Sequence, residues 1–203
     1  MKRGKKMKRH FIGLGILMFF LSTLPVYAGA SLDTVQTNVN KVLDVLRDPK
    51  LKAESAKEIK KEKLEAMYEQ MFDEVELSMR SLGVNWKKLS PAQQQEFIQL
   101  YRQILGKAYI DKILSFTNEK IVFSKENILS NNQAEVQTKV ITSSNEIPIF
   151  YRVILKDGTW KVYDVVVENV SLVQNYRSQF NSILAKNTPD QLIEILRKKV
   201  KGQ

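Results

Sequence analysis

The feature that most constrains this chain is residues 159–180, TWKVYDVVVENVSLVQNYRSQF, where a strand runs directly into a helix. Residues 160–167 are mostly β-branched and aromatic, a composition that suits a pleated, partly covered surface. Ser171 stands three residues before Gln174, the capping-box spacing that starts a helix. Beyond it Leu172, Val173, Tyr176, Phe180, Ile183 and Leu184 recur at helical spacing. Only Glu168, Asn169 and Val170 separate the valine run from the cap. The last strand of a sheet therefore hands over to a helix that folds back across that sheet.

The other end of the chain reads as a leader. The first nine residues carry six Lys or Arg and no acid, and residues 11–24 form a short apolar run broken by Gly13, Gly15, Ser22 and Thr23. Val26-Tyr27-Ala28 and Ala28-Gly29-Ala30 are both acceptable cleavage motifs. This is the three-part pattern of a secretory signal peptide. About 14 apolar residues fall short of the ~20 that span a bilayer. The expected organisation is a leader over residues 1–30 and one exported domain over 31–203.

Charge and missing residue types then remove whole classes of function. Without the leader, 26 Lys and Arg exceed 22 acids by only four, so a nucleic-acid partner is not indicated. The basic run Arg197, Lys198, Lys199 and Lys201 suits a helix C-terminus, or a docking surface for an acidic partner or anionic headgroups. There is no cysteine, and the sole histidine, His10, lies in the leader. Histidine triads, cysteine nucleophiles and the usual zinc sites are thereby excluded. No glycine-rich loop resembles a phosphate cradle. The reading is a non-enzyme with no catalytic residue, metal or cofactor.

The first half of the chain is helical. Leu32, Val35, Val39, Val42, Leu43 and Leu46 make one stripe that ends before Asp48-Pro49. After a charged connector, Leu64, Met67, Tyr68, Met71, Phe72, Val75, Met79 and Leu82 make a second, closed by Gly83. Ser90-Pro91-Ala92-Gln93 opens a long helix with Phe97, Leu100, Tyr101, Ile104, Leu105, Ala108, Tyr109, Ile113 and Phe116 on one broad face. Thr188-Pro189-Asp190-Gln191 starts the last helix.

Between them the period changes to two. Residues 120–129, 133–142, 146–156 and 159–168 read as four strands of an antiparallel meander, with Asp157-Gly158 a two-residue hairpin turn. That turn sets a register in which Leu155 faces Trp160, Val153 faces Val162, Tyr151 faces Asp164 and Ile149 faces Val166. These residues share the face expected to meet the helices. Asp164 is the one polar residue among them, and a hydrogen bond with Tyr151 or a helix N-terminus would satisfy it.

Two blocks of residues resemble a known family. One contains Phe72-Asp73, Ser78-Met79, Leu82-Gly83, Trp86, Leu89-Ser90-Pro91, Gln93, Phe97, Leu105 and Tyr109. The other contains Trp160-Lys161-Val162-Tyr163-Asp164-Val165, Val170-Ser171-Leu172-Val173, Asn175-Tyr176-Arg177, Gln179-Phe180 and Leu192-Ile193. In both, the chain resembles the periplasmic phospholipid-binding component of the bacterial Mla system, the toluene-tolerance auxiliary family. Asn169 stands where that family usually has Gly, and Gln95 where it usually has Arg. Asn tolerates a left-handed backbone, so the strand-to-helix turn is expected to survive.

The resemblance implies an α+β fold, an NTF2-like cone with helices packed on a curved four-stranded antiparallel sheet around an apolar cavity. It implies a monomeric periplasmic carrier of phospholipid cargo, working between an outer-membrane lipoprotein complex and an inner-membrane ABC transporter with its MCE ring. It also places Tyr109 and Val170 at the cavity wall. Face parity adds Leu105, Ile113, Val136, Val140, Tyr151, Val153 and Val166. Two other readings use the same residues. A small NTF2-like enzyme would need a buried acid, for which Asp164 is the only candidate, and a chaperone-like envelope protein would have a filled interior without a mouth.

Overall fold

The computed structural model describes residues 29–116 and 119–202; the expected leader, apart from Gly29 and Ala30, lies outside them. Among the described residues the α-helices and strands follow in the order α1 (Ala30–Arg47), α2 (Lys57–Met71), α3 (Glu74–Leu82), α4 (Pro91–Leu114), β1 (Lys120–Ser130), β2 (Gln133–Ile141), β3 (Glu146–Lys156), β4 (Thr159–Val167), β5 (Val170–Ser171), α5 (Leu172–Leu184) and α6 (Pro189–Lys201). None of these helices is long and apolar enough to cross a membrane. The sheet is an antiparallel meander in the order β1-β2-β3-β4-β5. The α+β class is as expected, with five strands in place of four.

The extra strand comes from the turn before α5. Glu168 and Asn169 sit at φ 49° and 66°, so the chain reverses in two residues and returns Val170 and Ser171 to pair with Val167 and Val166. Two successive positive φ values are the demand of a tight hairpin turn, met again by Asp157 and Gly158 at φ 49° and 74°. Asn169→Val should cost about 1–2 kcal/mol, because a β-branched residue resists the left-handed backbone. Asn169→Gly should melt within a few degrees of the parent. Thermal melts of the two variants decide this, and equal melting would contradict it.

Helix boundaries follow their caps. Ser90 accepts the Gln93 N–H while the Gln93 side chain takes the Ser90 N–H, and Thr188 and Gln191 repeat the arrangement at α6. The second apolar stripe does not stay one helix. Phe72 is extended, Asp73 caps α3 by accepting the Glu76 N–H, and the Asp73 N–H donates to the Val162 carbonyl at 2.9 Å. That bond ties the break between α2 and α3 to the edge of β4, and Val75 is left on the surface.

The sheet register also departs from expectation. Leu155 faces Trp160 and Val153 faces Val162 as the turn dictates, but Tyr163 is then an extra residue on β4. Beyond this bulge Arg152 faces Asp164, Tyr151 faces Val165 and Phe150 faces Val166. A bulge inserts one residue and so exchanges the faces of everything after it. Asp164 and Val166 therefore lie on the face opposite Tyr151; Val165 takes the place expected for Asp164, and Val167, facing Ile149, the place expected for Val166.

Two apolar cores result. On the Tyr151 face, Val35, Val39, Leu43 and Leu46 of α1 and Leu64 of α2 cover Ala134, Val136, Val153, Trp160 and Val162. The other core is helical: Leu77 and Leu82 of α3, Phe97, Tyr101, Ile104 and Leu105 of α4, Val173, Tyr176 and Phe180 of α5, and Leu192, Ile193 and Leu196 of α6. The two meet along α4, whose first half packs in the helical core while Ile110 and Leu114 pack against the sheet-side cluster of α1, α2 and strand residues.

Candidate functional site

The nine expected site residues do not form one constellation. Val136 faces Tyr151 across β2 and β3, and Val153 lies two residues along the same face, so these three stand together. Val140, facing Ile147, continues that face toward the end of the sheet and is half-buried. Leu105 is buried in the helical core, and Tyr109 packs at the edge of the same core. Val170 is 60% exposed on β5. Ile113 is 41% exposed, because the covered face of α4 rotates where it passes from the helical core to the sheet-side cluster, which Ile110 and Leu114 pack against instead.

What the sheet face offers is a covered floor with partly open walls. Val136 and Val153 are fully buried, whereas Tyr151, Leu155, Val165, Ile121, Phe123, Ile110 and Leu114 pack around the same cluster and stay half-buried. Tyr151 is half-buried among them, and desolvation pushes its phenol up to about 12. Thr138, fully buried on this floor, donates its hydroxyl to the Ile149 carbonyl at 2.7 Å, and the Tyr151 phenol is the other hydroxyl on this otherwise apolar face.

The opposite face carries the polar work. Asp164, 2% exposed, accepts the Ser171 hydroxyl at 2.6 Å and Arg152 Nη1 at 3.1 Å on Oδ2, and the Val173 N–H at 3.0 Å on Oδ1. Ser171 Oγ in turn accepts the Gln174 N–H, so the carboxylate and the cap together hold the first turn of α5 against β4. Arg152 also donates to Glu135 at 3.1 Å, and hydrogen bonds from Gln137 and Arg152 hold the Glu135 carboxyl low against the opposing effect of burial. Arg80 lies 4.0 Å over the Tyr163 ring. This network joins α3, β3, β4 and α5.

Two surface grooves lie elsewhere. One, about 650 Å³, is lined mainly by charged residues including Glu69, Asp73, Glu74, Arg102 and Lys156; the other, about 460 Å³, by Asn175, Ser178, Gln179, Ser182 and Ile183 on α5. Neither touches the nine residues, and their polar linings do not suit an acyl chain. Among the described residues no group of three or more acids, histidines or cysteines stands ready to hold a metal ion.

Helices packed on one antiparallel sheet, with an apolar cluster on one face and a polar clasp on the other, define an α+β domain. Within that class the family is fixed by sequence. The MlaC protein family model matches residues 36–198, and the chain belongs to that family. It is 29% identical over 117 residues to the intermembrane phospholipid transport system binding protein MlaC of Haemophilus influenzae, a match covering 55% of each chain. It is 24% identical over 180 residues to the toluene tolerance protein ttg2D of Pseudomonas putida, covering 88% of this chain and 84% of that one. A phospholipid-binding protein of Ralstonia solanacearum, solved in complex with a phospholipid, superposes with a TM-score of 0.75 over 85% of this chain and 97% of its own, at 21% identity. That last likeness shows the fold.

The residues missed from sequence have identifiable signals. Val165 was hidden by the bulge, which alternation alone does not reveal. Ile110 and Leu114 sit four apart on α4, one residue out of phase with Tyr109 and Ile113, and that offset is the trace of a helix that changes partners.

Proposed function

We propose that this chain is a periplasmic phospholipid carrier, exported through a cleaved leader, with one domain and no catalytic role of its own. It takes lipid between an outer-membrane lipoprotein complex and an inner-membrane ABC transporter with its MCE ring, and so maintains the lipid asymmetry of the outer membrane. The observation that carries this reading is the half-open apolar face around Tyr151, on a domain of the MlaC family. A carrier must shield acyl chains from water, at about 0.8 kcal/mol for each CH₂. A hydroxyl-poor floor with apolar walls does that, and the phospholipid itself is the cargo where an enzyme would hold a cofactor.

The geometry also weakens the enzyme alternative. Asp164, the acid that reading required, is on the other side of the sheet, with both oxygens occupied by Arg152, Ser171 and the first turn of α5. On this reading Tyr151, Val136, Val153, Val140 and Val165 face the lipid, while Tyr109 packs on the helical core. A photo-crosslinking residue at Tyr151 should label phospholipid in cells, while one at exposed Lys57 should not. Equal labelling at the two positions would contradict the assignment.

A further inference from the structure

The two cleavage motifs of the leader end at Ala28 and Ala30, and the start of α1 distinguishes them. The Gly29 N–H donates to Glu126 Oε2 at 2.8 Å, and the fully buried Ser31 hydroxyl donates to Oε1 of the same carboxylate. The Gly29 carbonyl accepts the Asp33 N–H at 2.8 Å, the Ala30 carbonyl accepts the Thr34 hydroxyl at 2.8 Å, and Ala30 packs on the sheet-side core. Cleavage after Ala30 would remove both carbonyls, the Ala30 methyl and the Gly29 donor, and fray the first turn of the helix that covers the apolar face.

Cleavage after Ala28 keeps every one of these contacts and alters only one atom. Water adds across the Ala28–Gly29 amide, leaving the carboxylate on Ala28 and the amine on Gly29. That nitrogen, already within hydrogen-bond distance of Glu126, becomes an ammonium with three donors. A positive charge at a helix N-terminus opposes the helix dipole and is unfavourable alone. Glu126 supplies the counter-charge. Burial raises its carboxyl pKa, but hydrogen bonds from the Ser31 hydroxyl and from the N–H groups of Gly29, Leu32 and Ser31 outweigh this and hold it below the usual range.

We propose that the export peptidase cuts between Ala28 and Gly29, and that the new Gly29 ammonium closes an ion pair on Glu126 that fixes α1 to β1. The proposal rests on the leader reading above, and places the boundary of the mature chain two residues earlier than the expected 31–203. Intact mass and N-terminal sequencing of protein exported with its own leader should give a chain beginning at Gly29. A chain beginning at Ser31 overturns the site and leaves the leader reading standing, while one beginning at Met1 overturns both.

The ion pair has its own readout. In mature protein labelled with ¹⁵N-glycine, the Gly29 amine should titrate above the ordinary range of about 7.7–8.0, and return to it in Glu126→Gln. That substitution keeps the shape of the side chain and one oxygen to accept from Ser31, and a thermal melt checks that the variant is folded before its amine is titrated. A wild-type amine titrating in the ordinary range overturns the pair.

Discussion

Asp164→Leu should lower stability by roughly 2–4 kcal/mol, because it leaves Arg152, the Ser171 hydroxyl and the Val173 N–H facing an apolar side chain. The lower part of that range applies if Arg152, 30% exposed at its side chain, finds water or Glu135 instead. Asp164→Asn is not neutral either. Its single oxygen can take the Val173 N–H or the Ser171 hydroxyl but offers no charge to Arg152, at a cost of about 1–2 kcal/mol. Denaturant unfolding of the three proteins orders them parent, Asn, Leu. The damage should centre on α5, so amide exchange at Val173 and Gln174 should rise in both variants. A Leu variant as stable as the parent would show that the clasp between β4 and α5 contributes nothing.

Phe97→Ala should cost about 3–5 kcal/mol, the range for deleting a fully buried aromatic side chain. Phe97 is 0% exposed and sits with ring centroids 5.5 Å from Tyr101 and 5.2 Å from Phe180, the latter edge to face. Tyr101 completes the cluster against Tyr176 and Phe180, its hydroxyl bonded to Ser81 at 3.1 Å and its pKa raised first by burial. The surrounding helices have little freedom to collapse into the hole, since α4 is held to α6 through Arg197–Glu96 and Gln93–Asp190. The helical core and the sheet cleft are separate clusters, so the variant, where folded, should retain its lipid. Loss of lipid without loss of stability would contradict that separation.

Most of the fold was legible because local signals and the global pattern agree. Ser90, Ser171 and Thr188 cap the helices their spacing announced, and Asp157-Gly158 makes its turn. Two things were hidden. The break at Phe72-Asp73 interrupts an unbroken apolar stripe, because a backbone bond to Val162 outweighs helical continuity there. The Tyr163 bulge exchanges faces in mid-strand, and nothing in an alternating pattern marks where one residue is extra. Its consequences fall on the candidate site: Asp164 goes to the clasp with Val165 in its place beside Tyr151, and Val167 stands where Val166 is expected. The α4 stripe carries the same ambiguity in milder form, since its spacing puts Ile113 on the covered face whereas Ile110 and Leu114 pack on the sheet-side cluster.

Native mass spectrometry of the protein extracted gently from cells, without detergent, bears most directly on the carrier reading. Protein holding phospholipid should fly with mass increments matching cellular phospholipids, and Val165→Trp, which fills the cleft beside Tyr151, should lose most of them while staying folded. Uniformly lipid-free wild-type protein, or a Val165→Trp variant that keeps its full lipid load, would contradict the account.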